Sequence, residues 1–445
     1  MDLVVVVPGI MGSRLADADG RPVWDLKGRA LSRAISTLGG SLKALALPGG
    51  LGDGHPGDGI RPTGLMPDVH VIPGFWHPVE GYTDLMAWLA GTFGLTPGET
   101  LLDFPYDWRL SCRYNAALLK RRVEEGLERL RAASPEHADA RVILLCHSMG
   151  GLIARHYVER LGGRETTRRV ITLGTPHRGS VDALTNLVNG LRKGWGPLRA
   201  DLTALARSLP SLHQLTPDYA CVRTPGGLVH PADLPGLPGP DPELLADAAR
   251  FHADLRAAAP AEGLVCLVGI RQPTAAVAEF TGGLLVTEAE SGDGTVPRLA
   301  ARPADADRAG YAVAEGHTPC EQHGSLHNNR GVRDALYGLL DREPPFRRDG
   351  ERTAPALGVS APPLAESGEP YEVRVRADGH EDLLLTAELR PAAGGPSRSR
   401  SLANLGGGQY RTVFPAPPPG AHRLIVHAVG HPGSAVTALT AVSEE

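Results

Sequence analysis

The chain has 445 residues, 42% of them apolar, and a formal charge of −5. That length exceeds one ordinary core and points to two or three domains, and the charge gives no footing for a nucleic-acid partner. No apolar run approaches the ~18 residues of a membrane span, and no basic segment leads into an apolar one as in a secretory signal. The cytoplasm is therefore the expected location, with no integral membrane span. The five cysteines, at 112, 146, 221, 266 and 320, are far apart and form no Cys-x-x-Cys or Cys/His ligand pattern. Neither a disulfide framework nor a metal site is supported.

In chain order, the first element is the apolar run Leu3–Val7, which stops at Pro8-Gly9. Residues 17–70 follow, rich in Gly, Pro and Asp, with an amphipathic piece near Leu31–Leu47. Ala116, Leu119, Val123, Leu127 and Leu130 recur at spacings of three and four, which predicts a helix packing one face on a sheet. Val142–Leu145, Val170–Leu173 and Leu264–Val268 lack a polar face, like Leu3–Val7, and read as strands buried on both sides of a parallel sheet. Residues 180–260 carry helical apolar spacing and then a Pro-rich stretch. Neither this region nor 17–70 reads as sheet, and both are candidate lid or cap insertions. Val332, Ala335, Leu336 and Leu339 predict a late helix. The alternation of strands and helices argues an α/β class with a mostly parallel central sheet.

A polar segment, Arg342–Ala361, reads as a linker. Beyond it the pattern turns to period two: Tyr371, Val373 and Val375; Leu383, Leu385, Ala387 and Leu389; Tyr410, Thr412 and Phe414; His422, Leu424, Val426 and Ala428. Short alternating strands between turns predict a small antiparallel β-sandwich. The expected boundaries are 1–345 for the α/β domain, 346–361 for the linker and 362–445 for the β-module.

The chemistry centres on Cys146-His147-Ser148-Met149-Gly150. A buried strand runs into this turn and an amphipathic helix leaves it, the context in which a serine Oγ is presented at the top of a sheet. Positions two before and two after the serine must be small. Gly150 supplies one and Cys146, a departure from Gly-x-Ser-x-Gly, the other. The helix N-terminus that follows the serine places backbone N–H groups near the developing oxyanion. A second donor is expected from the loop after the first strand, with the Ile10 N–H the candidate. The turn Glu290–Pro297 offers Asp293 as a carboxylate able to orient a histidine. Three histidines follow, His317, His323 and His327. Position before the last helix favours His323 as base over His317, with His327 third.

Five segments together resemble the lecithin:cholesterol acyltransferase-like family of α/β-hydrolases: Val7-Pro8-Gly9-Ile10-Met11-Gly12-Ser13-Arg14, Pro105-Tyr106-Asp107-Trp108-Arg109, His147-Ser148-Met149-Gly150-Gly151, Gly174-Thr175-Pro176-His177-Arg178-Gly179-Ser180 and Gly292-Asp293-Gly294-Thr295-Val296-Pro297. The match covers about residues 1–341 and leaves out the β-module. It implies Ser148 as nucleophile, Asp293 as acid, a histidine of the last loop as base, and the N–H groups of Ile10 and Met149 as oxyanion hole. It also implies that Asp107, Arg109 and His177 are scaffold residues. Some family members close their lid with a disulfide. Residues 17–70 contain no cysteine, so a lid here is held differently, and the chain is more similar to the soluble bacterial branch.

The expected function is a serine-dependent acyl-ester hydrolase or acyltransferase, of lipase, phospholipase or esterase type, working through an acyl-enzyme on Ser148. Its partners are a lipid or other acyl-ester substrate and, for a transferase, an acceptor alcohol. No cofactor and no metal are called for. Two other readings remain: a catalytically inactive scaffold, and a protein whose β-module recruits a partner.

Overall fold

The computed structural model describes residues 1–25, 45–68, 80–193, 200–234, 236–258, 261, 263–304, 312–313, 318–340 and 355–443. Most of the amphipathic piece at 31–47, His317 and residues 342–354 of the polar segment read as linker lie outside them.

Six strands form the central sheet, in the order Ala312–Val313, Leu264–Leu267, Thr167–Leu173, Val142–His147, Leu3–Val7, Leu101–Asp103. Every pairing in it is parallel. The four apolar runs of the sequence are four of these strands. Their lack of a polar face follows from helices on both sides. The helix Cys112–Ala133 buries Ala116, Leu119, Val123, Leu127 and Leu130, as its spacing predicted. It is started by Ser111, whose side chain accepts from the Tyr114 N–H, a standard N-cap. The helix Gly150–Arg160 is buried through nearly its whole length. On the opposite face, Thr83–Phe93 and Arg330–Leu340 pack Leu85, Leu89, Val332 and Leu336 against Val4, Ile143 and Ile171. The fold is an α/β-hydrolase fold.

Register sets the site. Val7 pairs with Cys146, and His147 with Leu173. Three strands thus end level, and the segments beginning at Pro8, Ser148 and Gly174 emerge side by side at the carboxyl edge of the sheet, where open α/β sheets bind ligands.

The two candidate insertions contain sheet, contrary to their sequence reading. In the first, Pro22–Trp24 and Arg61–Leu65 pair with Ser13–Ala16, which precedes the insertion, in a three-stranded antiparallel sheet. Arg192–Lys193 pairs with Ala200–Asp201. Val222–Thr224 and Gly227–Val229 form a hairpin that extends the longer hairpin Gln272–Thr281/Leu284–Gly292. These strands of the insertions have two to five residues, too few to display a period of two amid Gly and Pro.

The C-terminal part is two sheets. One runs Leu357–Ser360, Tyr371–Ala377, Gln409–Phe414, Ala403–Gly406; the other runs Leu364–Ala365, His431–Val442, Gly420–Ala428, Leu385–Pro391, Arg398–Ser401. All neighbours are antiparallel except the first pair of the second sheet. Val373, Val375 and Tyr410 from one sheet and Leu385, Leu424 and Val426 from the other share a single core, which makes a β-sandwich. Its first strand, Leu357–Ser360, falls within the stretch read as linker.

Candidate active site

Ser148 follows directly on the strand Val142–His147 and has φ 53°, a left-handed conformation that costs a non-glycine residue on the order of 1–2 kcal/mol. The strain is held from several sides. The Ser148 N–H donates to the Leu173 carbonyl at 2.9 Å, and the Thr175 hydroxyl donates to the Ser148 carbonyl at 2.8 Å. Gly150 must be small because a Cβ there would lie 2.5 Å from the Pro8 carbonyl oxygen. The other small position holds buried Cys146, whose thiol burial pushes well above its ordinary range, so it stays neutral.

His323 opens a short 3₁₀ helix, His323–Asn328. Its Nε2 is 2.8 Å from Ser148 Oγ, and its Nδ1 is 2.8 Å from Asp293 Oδ2. The carboxylate selects the tautomer: Nδ1–H donates to Asp293, and Nε2 is left to accept from the Ser148 hydroxyl. The His323 N–H also donates to the Asp293 carbonyl at 2.7 Å. Asp293 Oδ1 accepts from the N–H groups of Thr295 and Val296, at 3.0 and 2.7 Å. All three side chains are buried, with Ser148 the most accessible at 7%. The row Ser148, His323, Asp293 can pass a proton from hydroxyl to imidazole while the carboxylate steadies the imidazolium.

Pro8-Gly9-Ile10 lies against the serine. A Cβ on Gly9 would be 2.9 Å from Ser148 Cβ and 3.5 Å from its Oγ. Among the described residues, none accepts a hydrogen bond from the Ile10 or Met149 N–H. Both candidate donors are thus free for an incoming oxyanion.

His327 stands elsewhere. Its Nε2 donates to the Gly81 carbonyl at 2.8 Å, its ring stacks on Tyr82 at 4.9 Å, and burial brings it down to about 4. Of the three candidate histidines, the structure brings His323 to Ser148 and keeps His327 away. His177 is buried beside Thr172 and Arg155. Arg109 is fully buried and pairs bidentately with Asp107, with a further contact to Asp58.

Sequence reasoning passed over a second row. His147 Nε2 donates to the His323 carbonyl at 3.0 Å. Its Nδ1 then accepts from the Tyr82 hydroxyl at 2.9 Å, and the Tyr82 oxygen accepts the Gly9 N–H at 2.9 Å. His147 was visible inside the motif. Tyr82 is a lone tyrosine before a helix, and no local pattern marks it.

Fold and site define an α/β-hydrolase with a buried serine, histidine and carboxylate in a row. Residues 54–231 match the family model for lecithin:cholesterol acyltransferase, so that stretch of the chain is similar to this family. The match supports an acyl-ester hydrolase or acyltransferase in general terms. It contains Ser148 and Met149; Ile10, Asp293 and His323 lie outside it. No curated protein matches the chain. Among solved structures, the chain is similar to the Bacillus licheniformis lipase BlEst2. The propeptide form matches at 14% identity and TM-score 0.37, covering 98% of this chain and 73% of that one. The mature form matches at 15% and 0.37, covering 76% and 91%. No helix among the described residues is long and apolar enough to cross a membrane.

Proposed function

We propose that the protein is a serine-dependent acyl-ester hydrolase or acyltransferase that works through an acyl-enzyme on Ser148. The observation that carries the reading is the unbroken row from Ser148 Oγ through His323 to Asp293, each step 2.8 Å. As Oγ attacks the ester carbonyl, its proton moves to His323 Nε2. Asp293 holds the ring and balances the imidazolium charge. The Ile10 and Met149 N–H groups receive the oxyanion, at about 3 kcal/mol for each donor in comparable sites. Collapse expels the alcohol, which takes the proton from His323. Water or an acceptor alcohol then repeats the sequence on the acyl-enzyme. Lipid esters are the substrate class favoured by the family match. The five cysteines are unpaired, which fits a reducing, cytoplasmic setting.

A fluorophosphonate probe tests this directly. The wild-type protein should be labelled, and Ser148→Ala should not. Folded wild-type protein that resists the probe and turns over no ester from a chain-length panel would overturn the reading.

A further inference from the structure

The C-terminal sandwich meets the α/β-hydrolase part at the two segments that carry Asp293 and His323. Gln272 sits at the start of the long hairpin, its backbone bridged to Asp293. Its side chain is buried and acts as one more rung on the sandwich's first strand: Nε2 donates to the Leu357 carbonyl at 3.1 Å, and Oε1 accepts the Val359 N–H at 2.9 Å. The neighbouring Arg271 has φ 65° and pairs with Asp378 of the sandwich at 2.9 Å.

The histidine segment is gripped in the same way. Glu321, two residues before His323, is buried. Its Oε1 accepts from the Thr437 N–H of the sandwich at 2.7 Å and from the Gln322 N–H at 2.9 Å; Oε2 accepts from Asn329 at 3.0 Å. Gln322 donates to the Val359 carbonyl at 3.3 Å. On the far side of His323, Arg423 of the sandwich pairs with buried Glu80 at 2.9 Å. Glu80 in turn holds Asn328 through its side chain and Gly324 through its N–H. Ser148 sits instead between the central strands and the Pro8 loop.

We propose that the sandwich is a clamp that sets the Asp293 turn and the His323 segment against Ser148, with Gln272, Glu321 and Arg423 as positioning residues. The proposal rests on the serine acyl-enzyme reading. A hydrogen-bonded row at 2.8 Å tolerates little displacement, because misplacing a catalytic group by an ångström costs up to ~100-fold in rate. Two of the three members are held by segments that the central sheet does not contain. The sandwich supplies the missing support.

The test uses the full-length protein. Active sites are counted with a fluorophosphonate, and kcat per counted site and KM are measured on a soluble short-chain ester for wild type, Gln272→Met, Arg423→Met, Arg423→Lys and the control Arg374→Ala, an exposed sandwich residue. The clamp predicts that both Met variants lose ~10-fold or more in kcat per site at a KM within ~2-fold of wild type. Arg423→Lys should recover most of the loss, and Arg374→Ala should match wild type. Wild-type kcat per site in both Met variants would overturn the clamp while leaving Ser148 as nucleophile. Absence of wild-type labelling would overturn the reading beneath it. Arg423 is partly exposed, so its variants remain measurable if Gln272→Met does not fold.

Discussion

The Tyr82 hydroxyl lies 2.9 Å from Nδ1 of His147 and joins three parts of the site that the chain keeps far apart. Through Gly9 it reaches the loop of the candidate oxyanion donor, and through His147 it reaches the backbone of His323. Tyr82→Phe keeps the ring and its stacking on His327 but strands the Gly9 N–H and His147 Nδ1 in a buried place. Each orphaned group costs about 1–3 kcal/mol. The expected result is a lower denaturant midpoint together with a fall of ~10-fold in kcat at nearly constant KM, since the oxyanion loop loses its anchor. Unchanged kcat and midpoint would show that the relay is idle.

The two described candidate bases separate cleanly. His323→Ala should abolish both turnover and fluorophosphonate labelling. His327→Gln should retain labelling at a rate near wild type, because an amide can still donate to the Gly81 carbonyl. Asp293→Asn should fold and still lose ~10³- to 10⁴-fold in kcat, because an amide favours the wrong imidazole tautomer. Labelling kinetics on the three variants decide the assignment, and loss of labelling in His327→Gln alone would reverse it.

Much of this was legible in the chain because it is written locally. The four double-sided strands announce themselves by unbroken apolar runs, and Ser148 by a strand, a turn and a helix within a dozen residues. His323 was favoured by its place before the last helix, and geometry brings it to Ser148. What stayed hidden depends on long-range contact. Tyr82, Gln272 and Glu321 are ordinary residues in ordinary local settings, and their partners lie 65 to 116 residues away. The short strands of the insertions were missed for a different reason: two to five residues cannot establish a period.

Buried titratable groups set opposing slopes in stability with pH. His327 is held down at about 4 by burial, and His147 also lies well below its usual value, because of burial and then the neighbouring His327 and His323. Below ~6.5 the unfolded chain takes up protons that these rings refuse, so stability falls as the pH drops towards 4, by up to about 3 kcal/mol for His327. Burial pushes Glu321 up to about 8. Between its unfolded value near 4.5 and 8 the folded state holds a proton that the unfolded state has lost, so this contribution fades as pH rises. Above 6.5 the histidine slope is spent, and Glu321 alone should cost about 2 kcal/mol between pH 6.5 and 8. Urea midpoints across pH 4–9 should therefore peak near 6.5. Glu321→Gln should flatten the alkaline fall, and an unchanged alkaline slope in that variant would refute the assignment.

Arg109 and Asp107 lie inside the segment that matches the family model, and their geometry is that of scaffold. Arg109 has no exposed side-chain surface and Asp107 has 3%; the guanidinium also reaches Asp58 and the Leu45 carbonyl. Removing one partner leaves a desolvated charge, a loss of about 3–5 kcal/mol, whereas replacing both by packed apolar groups is often close to neutral. Asp107→Leu should therefore destabilise strongly. The double variant Asp107→Leu/Arg109→Met should recover much of the loss, though Asp58 then gives up its contact. If the pair only supports the fold, KM and kcat per counted site should stay close to wild type wherever the protein is folded. A rise in KM of ~10-fold or more in the stable double variant would instead place the pair against the substrate.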